Sequence, residues 1–145
     1  MYGSLDQLKK RLPESELIML TDDDSTGEFN EAVFQELAAG VDELIDSHLR
    51  GRFALPLNTV PGIISAIALD LYLFELYGRR PTFEIPKTVE TKRNNQMRVL
   101  VGIKKGDIQL GIAGVATPSA ATSINSIQVA GGNPQVFTAE SLKNF

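Results

Sequence analysis

A chain of 145 residues has the length of a single domain. Its composition, 43% hydrophobic and 22% charged, supports a packed core and excludes a wholly disordered protein. Because the chain has no cysteine and one histidine, a disulfide framework, a thiolate nucleophile and the common cysteine or histidine metal clusters are also excluded.

Charge is unevenly distributed along the chain, although the net charge is only −4. Residues 1–50 carry four basic and twelve acidic side chains, whereas residues 51–110 carry nine basic and five acidic ones. These two segments therefore have net charges of −8 and +4. Two solvated faces of one domain would explain the division. The alternative is head-to-tail assembly of copies, with interface residues Asp42 and Asp46 on the acidic side and Arg93 and Arg98 on the basic side.

The first fifty residues predict two short helices, an acidic loop and one long helix. Ser4 can cap a short helix through Leu12, and Pro13 begins a second short helix. The loop TDDDSTGEFN, residues 21–30, matches six positions of a calcium-binding loop. However, Val33 stands where that loop requires a bidentate glutamate, so we expect no calcium and no other cofactor.

The long helix is predicted from about Glu31 to Arg50, with Asn30 as its N-cap. Its packed face is predicted from apolar spacings of three and four, and comprises Phe34, Leu37, Val41, Leu44 and His48. Asp42, Glu43 and Asp46 lie off this face and are expected in water. Since no nucleophile or carboxylate pattern accompanies His48, we interpret it as a structural histidine with one hydrogen bond.

Two further helices are predicted after a proline-containing connector at residues 52–62. The first, Pro61 to Tyr77, is apolar on nearly every side and should be central, or covered on its second face by a neighbouring subunit. Its Asp70 requires a partner if buried, and Arg52 and Arg79 are the candidates for a structural pair. The last helix runs from Pro86 to about Lys105, with Gly106 as its C-cap.

The C-terminal third differs in composition from the helical region. Residues 111–135 contain no charged side chain, and fourteen of the twenty-five are Ala, Gly, Ser or Thr, which predicts a flexible linker. Four hydrophobic residues return in the final segment, residues 136–145: Val136, Phe137, Leu142 and Phe145. We interpret this segment as a docking peptide for a partner protein. The predicted fold is thus all-α, a compact bundle of four to five helices over residues 1–110 with a long extended C-terminal tail.

Catalysis, specific nucleic-acid binding and membrane insertion have little support in the sequence. It lacks a phosphate-binding glycine loop, a G-x-S-x-G elbow and a pair of facing carboxylates. Its basic residues between positions 84 and 105 have no aromatic residues among them, which favours a subunit interface over a nucleic-acid surface. The longest apolar stretch, Ile63 to Tyr77, is shorter than a bilayer span, and the N-terminus has no apolar signal region, so we expect a soluble protein.

Three segments occur in an informative order: IDSHLRGRFALPL at residues 45–57, VP at residues 60–61 and LYGRRP at residues 76–81. Together with GIKKGDIQLG and the final VFTAESLKNF, they resemble the small head-to-tail connector family of Mu-like phages and prophages. The resemblance covers about residues 2–111 and the C-terminal end. His48 stands where a tyrosine is common in that family.

The resemblance implies a virion structural protein without enzymatic activity, assembled in the host cytoplasm. It implies an all-α adaptor that forms a ring, typically of twelve copies, beneath the portal and joins the capsid to the tail around the DNA channel. The implied partners are other copies of the chain, the portal protein and the next connector or tail protein, with DNA nearby and no membrane. The alternative is a calcium-responsive or generic helical protein-binding module.

Overall fold

A computed structural model describes residues 1–80 and 84–114 of the chain. This part contains five helices and no strand: α1 (Leu5–Lys9), α2 (Glu14–Thr21), α3 (Glu31–Leu49), α4 (Gly62–Gly78) and α5 (Lys87–Lys105). The all-α prediction and the predicted number of helices are therefore confirmed. Most of the predicted linker and the whole docking segment, residues 136–145, lie outside the described residues.

Local capping explains where these helices begin and end. Ser4 and Gln7 form a reciprocal capping box at the start of α1. The Asn30 side chain accepts the Val33 N–H at the start of α3, as the sequence predicts. Gly106 ends α5 with a φ of +97°, a left-handed conformation in which a glycine avoids the Cβ clash of other residues.

Helix α4 is the centre of the core. Ten of its seventeen residues are buried. It packs against α3 and α5, which also pack against each other, and α2 covers α3 and α4. The chain therefore surrounds this apolar helix by itself, and no neighbouring subunit is needed to bury its second face.

The buried face of α3 is rotated from the predicted one. Its buried residues are Phe34, Ala38, Val41, Ile45 and Leu49. The predicted positions Leu37, Leu44 and His48 are only half-buried. Spacing alone could not distinguish the two stripes, because they share residues and differ only in how α3 is turned toward α4 and α5.

The last described residues fold back onto the bundle. Ile108, Leu110 and Ile112 pack against the core. A Cβ added at Gly114 would lie 3.0 Å from the backbone oxygen of Arg52. The chain therefore leaves the described region beside the connector that joins α3 to α4.

Candidate assembly surfaces

Two helices that flank the core carry opposite charge. Helix α3 has five carboxylates and no lysine or arginine, a net charge of −5. Helix α5 has six basic residues and only Glu90 as an acid, a net charge of +5. The acidic and basic segments of the sequence therefore correspond to two long, neighbouring helices. Which of their charged side chains can bind a partner depends on the contacts that each makes within the chain.

Asp42 and Asp46 fasten the N-terminal segment to α3. The Tyr72 hydroxyl donates to Asp42 at 2.6 Å, and the Met1 amino group lies 3.1 Å from the same carboxylate. The Tyr2 hydroxyl donates to Asp46. Burial, and then the hydrogen bond to Asp42, raise the pKa of Tyr72 above its ordinary value. The expectation that these two carboxylates face open water is therefore wrong, and a neighbouring subunit would have to compete with contacts inside the chain.

Asp70 is a buried carboxylate, only 6% exposed, with two partners. An Arg11 guanidinium nitrogen lies 2.5 Å from one oxygen, and the Gln96 amide nitrogen donates to the other at 2.6 Å. The predicted pairing with Arg52 or Arg79 is wrong. Arg11 lies in the turn between α1 and α2, 59 positions from Asp70 in the sequence, so only the tertiary structure reveals the pair.

Arg52 has a different structural contact. Its guanidinium donates to the backbone oxygen of Ile103 at 2.6 Å, in the last turn of α5. It also lies 5.7 Å from the centre of the Phe53 ring. Arg52 thus joins the α3–α4 connector to the end of α5, where the helix dipole favours a positive charge.

Among the described residues, the hydrogen bonds of His48 lie within its own helix. Its Nδ1 lies 2.9 Å from the Leu44 backbone oxygen and 3.2 Å from the Ser47 hydroxyl. The residue is half-buried. The Nδ1 atom is therefore satisfied locally, as expected for a histidine with a structural role.

The acidic loop between α2 and α3 is held by contacts within the chain. Asp22 accepts the backbone N–H groups of Thr26 at 2.9 Å and Gly27 at 2.7 Å, which lower its pKa. Asp23 accepts two hydrogen bonds from Arg79, and that contact lowers its pKa. Arg80 also donates to Asp23, at 2.8 Å. Within the described residues, no group of three or more His, Cys, Asp or Glu side chains could hold a metal ion.

The outer side of α5 is basic and open. Arg93 lies over the Phe74 ring, 5.0 Å from its centre, whereas Arg98 is exposed. Across residues 1–80 and 84–114, no basic side chain of α5 lies within 4.0 Å of a carboxylate. One exposed line of residues at helical spacing, here called the basic stripe, consists of Lys87, Thr91, Asn94, Arg98, Val101 and Lys105.

An apolar groove lies between α3 and α4. Leu37, Gly40, Val41 and Leu44 line it from α3, together with Glu36 from α3 and Glu75 from α4. Its volume is about 310 Å³. This α3–α4 groove could not be predicted from the sequence, because the groove depends on how the two helices pack. The one available signal was Gly40, a glycine inside a long helix.

These observations define a small all-α protein in which a central apolar helix packs against one acidic and one basic helix, each with an open surface. No helix among the described residues is long and apolar enough to cross a membrane. The model of the family described as Bacteriophage Mu, Gp36 matches residues 2–129. The chain therefore belongs to this Mu-like phage protein family.

A curated relative is consistent with this assignment. The chain is similar to the Mu-like prophage FluMu protein gp36 of Haemophilus influenzae (strain ATCC 51907 / DSM 11121 / KW20 / Rd). The two are 27% identical over 113 residues, which cover 78% of this chain and 77% of the relative. The resemblance to a protein family of Mu-like phages, inferred from the sequence, is thereby confirmed.

Proposed function

We propose that this chain is a virion structural protein that connects head and tail, as a ring beneath the portal and around the DNA channel. Membership of a Mu-like phage family is the observation that carries the proposal. In this role the protein has no enzymatic activity, and its partners are other copies of the chain, the portal protein and the next connector or tail protein. It is assembled in the host cytoplasm, and its place in the virion is the neck.

The open surfaces support assembly into a ring. A ring needs a heterologous contact, in which one patch of each subunit meets a different patch of the next. The basic stripe on α5 and the α3–α4 groove, whose lining includes Glu36 and Glu75, are two different patches of opposite character. Such a pair suits head-to-tail contacts better than the self-complementary contact of a two-fold dimer.

The C-terminal residues supply the proposed attachment to the portal or to a neighbouring subunit. After Gly114, residues 115–135 could span at most about 70 Å if fully extended, which is enough to reach a neighbouring protein. The docking segment then offers Val136, Phe137, Leu142 and Phe145. Burying four such side chains contributes on the order of 6 to 12 kcal/mol. Ordering ten residues costs about 10 to 20 kcal/mol. The segment therefore needs backbone hydrogen bonds to its host as well.

A calcium-responsive module is the weaker proposal. Asp22, the first carboxylate that would bind the ion, already accepts hydrogen bonds from the backbone N–H groups of Thr26 and Gly27. Calcium would have to displace these donors without the bidentate glutamate that such loops use at the twelfth position.

The test is genetic complementation in a Mu-like prophage that carries this gene. Deleting the gene should yield DNA-filled heads and separate tails in electron micrographs. The full chain should restore complete particles, whereas a chain lacking residues 136–145 should not. The matched control removes ten residues from the linker, residues 120–129, and should still support assembly. Complete particles without the protein would refute the connector role, and complete particles with the truncated chain would refute the docking role.

A further inference from the structure

The α3–α4 groove has the features of a surface that receives a helix. Its lining is mostly apolar, and a Cβ built at Gly40 would meet no atom within 4 Å. A glycine at this place leaves room for close approach, although it costs helix stability relative to alanine. Glu36 lies on α3 and Glu75 on α4. Across the described ranges, neither carboxylate makes a hydrogen bond or ion pair with another side chain.

Charge at the groove favours a basic occupant. Arg79 lines an adjoining pocket that also includes Glu36 and Glu75, and Glu36 attracts it. However, Arg79 shares the Asp23 carboxylate with Arg80, so part of its charge is offset, and Glu36 and Glu75 carry two negative charges against the remainder. The two glutamates therefore dominate the potential that an approaching helix meets.

The basic stripe of α5 matches these requirements. Val101 is 39% exposed, and Arg98 and Lys105 lie three positions before it and four positions after it on the same line. This places one apolar side chain between two long cations, with the uncharged Asn94 and Thr91 further along the stripe. A mostly apolar groove that also holds two carboxylates, Glu36 and Glu75, is complementary to that pattern.

We propose that the α3–α4 groove of one subunit receives the basic stripe of α5 from a second copy of this chain. Val101 then lies over Gly40, and Arg98 and Lys105 pair with Glu36 and Glu75. This inference rests on the proposed ring and names its subunit contact. The acidic residues of the subunit contact are then Glu36 and Glu75. Asp42 and Asp46, which the sequence suggested for this role, instead bind Tyr72 and Tyr2 within the chain.

The absence of cysteine from the sequence makes a direct test simple. Full-length Gly40→Cys and Val101→Cys proteins are purified separately, mixed in equal amounts and oxidised. The mixed disulfide should form at least ten times faster than in a control mixture of Gly40→Cys with Ser15→Cys, which places the thiol at an exposed position on α2. A rate equal to that of the control mixture would overturn the proposal.

Charge exchange tests the predicted pairs. Adding Glu36→Lys and Glu75→Lys to the groove protein should slow the cross-link at least fivefold. Adding Arg98→Glu and Lys105→Glu to the stripe protein should slow it similarly, and combining both altered proteins should restore most of the rate. Circular dichroism of each variant checks that the helices persist. Slowing without restoration would show that the charges do not meet, and would overturn the pairing.

Nucleic acid is the competing occupant of the basic stripe. Three results together would make the stripe a DNA surface and the proposal wrong. The full chain would bind duplex DNA, the double variant Arg98→Glu with Lys105→Glu would lose that binding, and the cross-link would form only at the control rate. The genetic test remains separate. If the cross-link fails but the deletion strain produces tailless heads, this contact alone is refuted. If the cross-link is specific but the deletion strain produces normal particles, the connector role is refuted.

Discussion

The pairing of Arg11 with the buried Asp70 should contribute measurably to the stability of the bundle. We predict that Arg11→Met destabilises the chain because it leaves the Asp70 carboxylate, 6% exposed, without its positive partner. Breaking a buried ion pair from one side typically costs about 3 to 5 kcal/mol. The Arg11 side chain is one third exposed, so water screens part of the interaction. The expected loss is therefore about 2 to 3 kcal/mol.

The measurement is urea unfolding followed by far-ultraviolet circular dichroism at pH 7. Lys10→Met is the matched control, because Lys10 is the adjacent residue and is exposed, and its loss should cost less than about 0.5 kcal/mol. The double variant Arg11→Met with Asp70→Asn should be more stable than the sum of the two single losses predicts. A neutral amide can still accept the hydrogen bond from Gln96, so the uncompensated charge is gone.

Two results would refute this reasoning. If Arg11→Met unfolds at the same urea concentration as the Lys10→Met control, the contact does not stabilise the folded chain. If the losses in the double variant are simply additive, Arg11 and Asp70 do not interact energetically, whatever their distance.

Three further predictions address alkaline pH, close packing and calcium. Burial, and then the hydrogen bond to Glu16, raise the pKa of Tyr77 to about 12, whereas the unfolded chain ionises it near its ordinary value of 10.0. The free energy of unfolding should therefore fall between pH 10 and 12, with a shallower slope in Tyr77→Phe; equal slopes would contradict the assignment. Gly3→Ala should lower the free energy of unfolding in urea by about 1 to 3 kcal/mol, because the new Cβ would lie 2.8 Å from the Tyr72 ring. The control Gly40→Ala should raise that free energy by roughly 0.5 to 1 kcal/mol. A Gly3→Ala variant of unchanged stability would show that the N-terminal segment is not packed there. Calorimetry should detect no calcium binding tighter than about 10⁻⁵ M to the loop at residues 22–30, and tighter binding would show that Val33 is no obstacle.

Elements defined by local signals could be predicted from the sequence. The Asn30 cap, the left-handed Gly106 and the long apolar run of α4 place the three long helices within a residue or two of their observed bounds. These signals are local because capping and helix termination involve groups only a few positions apart. The central position of α4 also follows from composition, since a helix that is apolar on most sides must be covered on most sides.

Contacts between distant residues could not be predicted in the same way. The sequence indicates that Asp70 needs a partner, but several basic side chains would meet that requirement equally well. Only the tertiary structure, which brings Arg11 to Asp70, identifies the partner. In the same way, Asp42 lies on the polar side of α3 by spacing, yet Tyr72 and the N-terminal segment cover it. The sequence alone determined the helices, their apolar content and the charge of each segment. The tertiary structure decided which charges are used within the chain and which remain open for a partner, because that depends on the rotation and docking of whole helices.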